Sequence, residues 1–145
     1  MERTGSSDTR VLLVGEDDAL LEGLAQSFAA LGYQPQVAAT LHEARDISTS
    51  SSPAPLLAIV DRELAATAGA DALAIRLSPG GALVLFHSGP ENRPTISHAL
   101  QRAVMADLAL PLERARLIAL AQHVQERIRA TGRGKRNTPP EQQAF

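Results

Sequence analysis

The sequence contains no cysteine and no tryptophan, and aromatic residues make up only 3% of its 145 positions. The absence of cysteine excludes a disulfide framework, a thiolate metal site and a cysteine nucleophile. With so few aromatic rings, the core must be built from Leu, Ala, Val and Ile, a composition that favours helices. The length is that of one ordinary domain and is sufficient for a real core.

A strong net charge and long apolar runs are also missing. The formal net charge is -2, so the domain as a whole has no excess of basic residues with which to contact the phosphates of nucleic acid. No apolar run approaches the roughly 18 residues that a membrane span needs. We therefore expect a cytoplasmic protein, with neither a membrane nor nucleic acid as partner of this domain.

The two ends of the chain differ in composition from its middle. Residues 1–10 are polar, and residues 131–145 combine Gly, Pro, Gln and basic residues without periodicity. Such segments predict a disordered start and a flexible basic tail, most simply a solvated one. Residues 11–130 are then the single folded domain.

Short apolar runs alternate with stretches of helical periodicity between these ends. The predicted strands are Val11–Val14, Gln34–Ala39, Leu56–Val60, Ala82–Phe86 and Leu108–Leu110. The first predicted helix has its apolar periodicity over Leu20–Leu31, with Asp17 or Asp18 as its cap and Gly32 at its end. The others are Leu41–Ile47, Asp71–Leu77, Thr95–Met105 and a closing helix to Ala130, with a Ser/Pro loop at Ser48–Pro55. Repeated strand–helix units with right-handed crossovers predict an α/β fold. Its five-stranded parallel sheet is doubly wound and flavodoxin-like, with strand order 2-1-3-4-5.

Polar side chains follow three of the predicted strands, at the edge where such sheets bind ligands. Glu16 and Asp17 follow the first strand, Asp61 closes the third, and Ser88 follows the fourth. Carboxylates gathered at one edge suit Mg²⁺, which prefers oxygen ligands. A metal-screened carboxylate at position 61 could attack a phosphoryl group to form an acyl phosphate.

The same residues also have a purely structural interpretation. Asp and Glu favour the first turn of a helix, and we favour that role for Asp17 and Asp18. Ser88 could simply end its strand in a turn with Gly89. The structural interpretation is weakest for Asp61, because an Asp that closes so apolar a run is an odd choice unless something uses it.

Several motifs, in this order and spacing, resemble the receiver domains of two-component response regulators over 11–130. The apolar first strand followed by acids, Leu31-Gly32-Tyr33, and the strand that ends at Asp61 each resemble a landmark of that family. Leu85-Phe86-His87-Ser88-Gly89 resembles its fourth strand, and Leu108-Ala109-Leu110-Pro111 its last one, where a cis bond before the proline is usual.

The resemblance implies a signalling domain rather than an enzyme. A histidine kinase or phosphotransfer protein would phosphorylate Asp61, and Ser88 would contact the phosphoryl group. Glu16, Asp61 and the backbone carbonyl of Glu63 would hold Mg²⁺. Homodimers would form through the face made by the last two predicted helices and the strand between them.

The chain departs from the family at one of the two acids after the first strand. Counting back from Leu31-Gly32-Tyr33, the first acid falls on Gly15 and the second on Glu16. A slip of one residue would instead make Glu16 and Asp17 the pair, with Asp17 as a metal ligand. We expect a weakened Mg²⁺ site.

Further departures concern the groups that sense the phosphoryl group. The family's lysine falls on Leu110, and the single lysine of the chain, Lys135, lies near the C-terminus. Losing a charge-assisted contact to phosphate costs roughly 1.5–3 kcal/mol, so phosphorylation should be slower or its readout weaker. The switch aromatic falls on Asp107 and a loop proline on Ala65.

Two hypotheses from different classes remain. In the first, the chain is a phosphorelay receiver that uses Asp61 and Mg²⁺ to change how it binds a partner. In the second, it is a pseudo-receiver, a docking or dimerisation module that does not depend on phosphorylation. Asp61, Glu16 and Ser88 motivate the first, whereas Gly15, Leu110 and Asp107 motivate the second.

Overall fold

The computed structural model describes residues 9–50, 53–88 and 95–136, with the side chains of the last helix as far as 130. Within these ranges the strands are β1 (Arg10–Val14), β2 (Gln34–Ala38), β3 (Leu57–Asp61), β4 (Ala82–His87) and β5 (Val104–Ala109). The helices there are α1 (Asp18–Ala30), α2 (Leu41–Ser50), α3 (Arg62–Thr67), α4 (Gly69–Leu73), α5 (His98–Ala103) and α6 (Arg114–Arg136).

The five strands form one parallel sheet in the order β2-β1-β3-β4-β5. This confirms the predicted fold class and strand order. β3 lies at the centre of the sheet, so its last residue, Asp61, is flanked by β1 on one side and β4 on the other. The peptide bond before Pro111 is cis, as the resemblance implies.

The core has two layers, one on each face of the sheet. Successive strand residues point to opposite faces, so Leu13 belongs to the layer under α1 and α6, and its neighbour Leu12 to the layer under the other helices. Both side chains are fully buried. The nearly continuous apolar strands predicted a sheet buried on both faces, and that prediction is confirmed.

Helix α1 begins and ends where its sequence signals lie. The Asp17 Oδ1 atom accepts a hydrogen bond from the backbone N–H of Leu20 at 3.1 Å, which is an N-cap. After the helix, Gly32 has a positive φ of 93°, a conformation that glycine adopts at little cost. The predicted capping role of Asp17 is thus confirmed.

The predicted loop at Ser48–Pro55 is wrong at its start, because α2 continues through Ser50. The hydroxyls of Ser48 and Thr49 both donate to the carbonyl of Arg45, at 2.9 and 2.8 Å. Ser48 is fully buried, and its oxygen also accepts the backbone N–H of Arg76 at 2.9 Å. These contacts make serine and threonine compatible with the last helical turn.

The predicted helix at Asp71–Leu77 is also wrong in its extent. Two short helices replace it: α3 follows Asp61 directly, and α4 ends at Leu73. A helix of six residues has less than two turns in which to show a periodicity. The described part of the chain therefore contains six helices, where the sequence predicts five.

The boundary between the last two predicted elements lies several residues earlier than expected. Helix α5 ends at Ala103, and Val104 and Met105 belong to β5, so the predictions Thr95–Met105 and Leu108–Leu110 are both corrected. The Ser97 hydroxyl caps α5 by accepting the N–H of Leu100. Ala99 and Ala103 of this helix are exposed.

The two termini also differ from the predicted domain limits. Thr9 accepts the backbone N–H of Gln34, and Arg10 opens β1. Helix α6 continues to Arg136 rather than ending near Ala130. The rest of the predicted disordered start and flexible tail, 1–8 and 137–145, lies outside the described residues. In the part of the chain that the structure describes, no helix is long and apolar enough to cross a membrane.

Candidate functional site

Asp61 lies at the end of the central strand and at the start of α3. Its Oδ1 atom accepts the backbone N–H of Glu63 at 2.9 Å, so the carboxylate caps the helix. Partial burial raises the pKa of Asp61, the hydrogen bond from Glu63 opposes this, and the negative charges of Glu63, Glu16 and Asp17 raise the pKa further. The carboxylate is therefore held among like charges.

Gly15 lies directly beside this carboxylate, because β1 and β3 are paired neighbours. A Cβ atom at position 15 would be 3.5 Å from the Cβ of Asp61 and 3.3 Å from Cζ of Phe86. A side chain at position 15 would therefore begin in tight contact with the Phe86 ring. The acid that the family resemblance predicts here is absent.

Glu16 and Asp17 follow β1 and are exposed. Both lie within electrostatic range of Asp61, since each raises the pKa of that residue. Asp17 also uses Oδ1 to cap α1. Among the described residues, however, no three side chains of the metal-ligating types lie close enough together to form a metal site by themselves.

The backbone carbonyl of Glu63, predicted as a metal ligand, lies within α3. It accepts a hydrogen bond from the Thr67 hydroxyl at 2.7 Å. A second lone pair remains on any carbonyl oxygen, but this one is engaged along its helix. The oxygen ligands that best fit a hard cation here are the carboxylates of Asp61 and Glu16, whose mutual repulsion a cation would relieve.

Ser88 is exposed and follows β4. Asp61 pairs with Phe86, and Ser88 is two residues further along, so strand alternation places Ser88 on the same face of the sheet as Asp61. The backbone N–H of Leu110 bonds to the carbonyl of His87 at 2.8 Å. Leu110 is thereby held beside Ser88, and its side chain is only 1% exposed within the core layer under α1 and α6.

Three charged or polar side chains form a network on the opposite face of the sheet. Asp107 Oδ1 lies 3.0 Å from Nδ1 of His87, and its other oxygen pairs with the Arg62 guanidinium. The three side chains are 13–24% exposed. Arg62 is the first residue of α3, so the network joins the residue after Asp61 to β4 and β5.

No sequence pattern indicates this network. From the sequence alone, Asp107 is only the position at which the family's aromatic is missing, and His87 is only part of the fourth-strand motif. The partners are 20 and 45 residues apart, so no local spacing could reveal them. Only the parallel register, which pairs Leu85 with Asp107, brings them together.

No family model matches the chain, and no curated protein sequence matches it. Solved structures do. A response regulator receiver domain protein from Methanospirillum hungatei is 21% identical with a TM-score of 0.63, and one from Clostridium thermocellum is 15% identical with a TM-score of 0.67. Both comparisons cover 85% of this chain and 98% of the other.

A third similar structure is a response regulator protein from Burkholderia pseudomallei, solved with a phosphorylated aspartic acid, a calcium ion and citrate. It is 18% identical with a TM-score of 0.61, over 91% of this chain and 76% of the other. At these identities the likeness is one of fold.

Proposed function

We propose that this chain, which has the fold of response regulator receiver domains, is a phosphorelay receiver that accepts a phosphoryl group on Asp61 and thereby changes a protein–protein interface. The observation that carries the proposal is the placement of Asp61. The Asp61 carboxylate ends the central strand, at the edge where such sheets bind ligands. Its pKa is raised, and acidic residues surround it. A capping role alone does not require so acidic a setting.

The donor would be a phosphohistidine of a kinase or phosphotransfer protein. A carboxylate oxygen of Asp61 supplies the electron pair for the new P–O bond. The P–N bond of the donor breaks, and its imidazole nitrogen keeps that pair and takes up a proton. Ser88, on the same face as Asp61, would donate its hydroxyl hydrogen to a phosphoryl oxygen.

We propose Mg²⁺ as the cofactor, with the Asp61 and Glu16 carboxylates as its ligands and Asp17 as an alternative. When bound, the ion screens the charge of the incoming phosphoryl group. The backbone carbonyl of Glu63 would complete the protein ligands through the lone pair that Thr67 does not use. The site is weakened relative to the family because Gly15 contributes no carboxylate. The Burkholderia relative supports the assignment, as it carries a divalent ion and a phosphorylated aspartic acid.

Asp107 occupies the position of the family's switch aromatic. A change at Asp61 therefore cannot be passed on by the movement of an aromatic side chain at this position. We propose that the change passes through α3, whose first residue, Arg62, binds Asp107 on β5. The affected interface would be the face of α5, β5 and α6, which could also form a homodimer. Ala99, Ala103, Ala115 and Ala119 are exposed on that face and permit close helix contact.

The test is amide NMR with Mg²⁺ and beryllofluoride, which mimics a phosphoryl group on a carboxylate. Resonances of Asp61, Ser88 and Ala109 should shift, and a fluorine signal of the bound mimic should appear. Asp61→Asn should abolish both, while Asp71→Asn, an acid of α4 paired with Arg45, should change neither. Absence of a fluorine signal at saturating reagent would refute the proposal.

Partner binding distinguishes the receiver from the pseudo-receiver. In a receiver, Asp61→Ala should abolish the phosphorylation-dependent change in affinity for the partner. Unchanged affinity and unchanged cellular output would instead identify a module that docks without phosphorylation.

A further inference from the structure

We infer that Arg114 supplies the positive charge to the phosphoryl group on Asp61, in place of the lysine that is missing at position 110. The inference rests on the proposed function and adds a binding residue to it. A pocket of about 390 Å³ lies beside the strand ends. Its lining consists of Asp17, Ala19, Leu20, Gly23, Leu24, Ser88, Leu110, Pro111 and Arg114.

The pocket brings Arg114 to the side of the sheet on which Asp61 reacts. Ser88 shares that face with Asp61, and the Asp17 charge acts on the pKa of Asp61. Both line the pocket together with Arg114. A phosphoryl group bonded to Asp61 and contacting Ser88 would therefore lie at the rim of this pocket.

Arg114 is exposed, and the described residues provide no ion-pair partner for its side chain. Its neighbour Arg116 is different, since its guanidinium bonds to Glu113 at 2.7 Å. Arg114 is the first residue of α6, where a cation opposes the helix dipole. The Arg114 charge therefore destabilises the start of α6, and an anion bound in the pocket would offset this effect.

Other cations near the edge are less suited to this role. Arg62 follows Asp61 directly, but it pairs with Asp107 on the opposite face of the sheet. Position 110, where the family has its lysine, provides no charge, because it carries an aliphatic side chain that is buried in the core. Arg114 lies four residues after it, at the start of α6. Its planar guanidinium can form two parallel hydrogen bonds to phosphoryl oxygens.

The experiment compares Arg114→Gln with Arg116→Gln, because both variants remove one arginine from the first turn of α6. Beryllofluoride affinity in the presence of Mg²⁺ is measured from the fluorine signal. Loss of a charge-assisted contact predicts a decrease of about tenfold or more for Arg114→Gln, and less than twofold for Arg116→Gln. Arg114→Lys keeps the charge but cannot form the two parallel hydrogen bonds, so its affinity should lie between those of the wild type and Arg114→Gln. Equal affinities for the Gln variants would overturn the inference.

A different result would show that the proposed function itself fails. If the wild-type chain gives no fluorine signal, Asp61 does not take the phosphoryl mimic. Arg114 is then judged by titration with inorganic phosphate. Shifts of the Arg114 Nε–H and Ser88 amide resonances in the wild type, with the Ser88 shift lost in Arg114→Gln, would support an anion contact. Absence of both shifts in the wild type would exclude it.

Discussion

At the residue scale, Asp61 caps α3 and is also a carboxylate held among like charges at the edge of the sheet. Capping stabilises the ionised form through the Glu63 N–H, but burial and the neighbouring acids outweigh it, so the pKa is raised. Because its ionised form is disfavoured, Asp61 stabilises the fold less than an uncharged residue with the same shape would. A cation or a covalent modification at Asp61 would relieve this repulsion.

Asp61→Asn should therefore increase the free energy of unfolding at neutral pH. Native Asp61 binds its proton more tightly than the unfolded chain, so the wild type loses stability as pH rises from about 3.9 through the native pKa. Asn keeps the cap and removes the charge. The gain should be below about 1 kcal/mol, because the side chain is partly exposed and screened.

Urea unfolding at several pH values measures this difference. The advantage of Asp61→Asn should disappear near pH 3, where the wild-type carboxyl is protonated in both states. Glu22→Gln, on the exposed face of α1, should show no such pH dependence. A variant less stable than the wild type at pH 7 would contradict the argument.

Restoring the absent acid with Gly15→Asp should destabilise the fold, since the new Cβ would lie 3.3 Å from the Phe86 ring. Overpacking of this kind costs about 1–3 kcal/mol. In the Phe86→Leu background the same substitution should cost measurably less, because the ring tip is gone. Equal costs in the two backgrounds, measured by urea unfolding, would show that Phe86 does not restrict position 15.

At the scale of elements, the sequence predicted those strands and helices whose signals recur along the element or mark its ends. The apolar runs of β1, β3 and β4 and the cap and stop of α1 at Asp17 and Gly32 are where the patterns predicted them. These signals are local, and every residue of a doubly buried strand contributes to them. The order of the strands came from the flavodoxin-like class that such repeated strand–helix units indicate.

Prediction failed where an element is short or its signal mixed. Helix α3 has only six residues. β5 reads Val-Met-Ala-Asp-Leu-Ala and is partly exposed along most of its length, so it shows neither a continuous apolar run nor a clean alternation. The site was predicted as far as single residues allow, while the Arg62–Asp107–His87 network required a register that no local pattern encodes.

The unexpected last turn of α2 gives a test at this scale. Ser48→Ala should lower the free energy of unfolding by about 1–3 kcal/mol, because the partly buried N–H of Arg76 loses its acceptor and the buried hydroxyl loses both its bonds. Ser50→Ala should change it by less than about 0.5 kcal/mol, since its hydroxyl is exposed. Thermal or urea unfolding compares the two variants, and equal effects would mean that Ser48 does not join α2 to the segment before β4.

At the scale of the whole molecule, one sheet separates two core layers, so loss of either layer should unfold both. Leu12→Ala and Leu13→Ala remove adjacent, fully buried side chains from opposite layers. Each should cost about 2–5 kcal/mol. Leu112→Ala, at a side chain that is 86% exposed, should cost less than about 0.5 kcal/mol.

Tyr33 makes this prediction sharper, because it is the single tyrosine in a chain without tryptophan. It belongs to the layer of Leu13. If the layers unfold together, Leu12→Ala should lower the unfolding midpoint of tyrosine fluorescence and of far-ultraviolet circular dichroism equally. Separate midpoints for the two signals would show that the layers are independent.

The burial of Leu110 also bears on how the chain can change over generations. Its side chain now belongs to the same interior cluster as Leu117 and Ala121 of α6, so an ammonium introduced there must leave that cluster and give up its packing. We expect Leu110→Lys alone to reduce stability without restoring ordinary receiver chemistry. A lysine at position 110 would therefore need a compensating substitution among the side chains of this cluster, for example at Leu117 or Ala121 of α6.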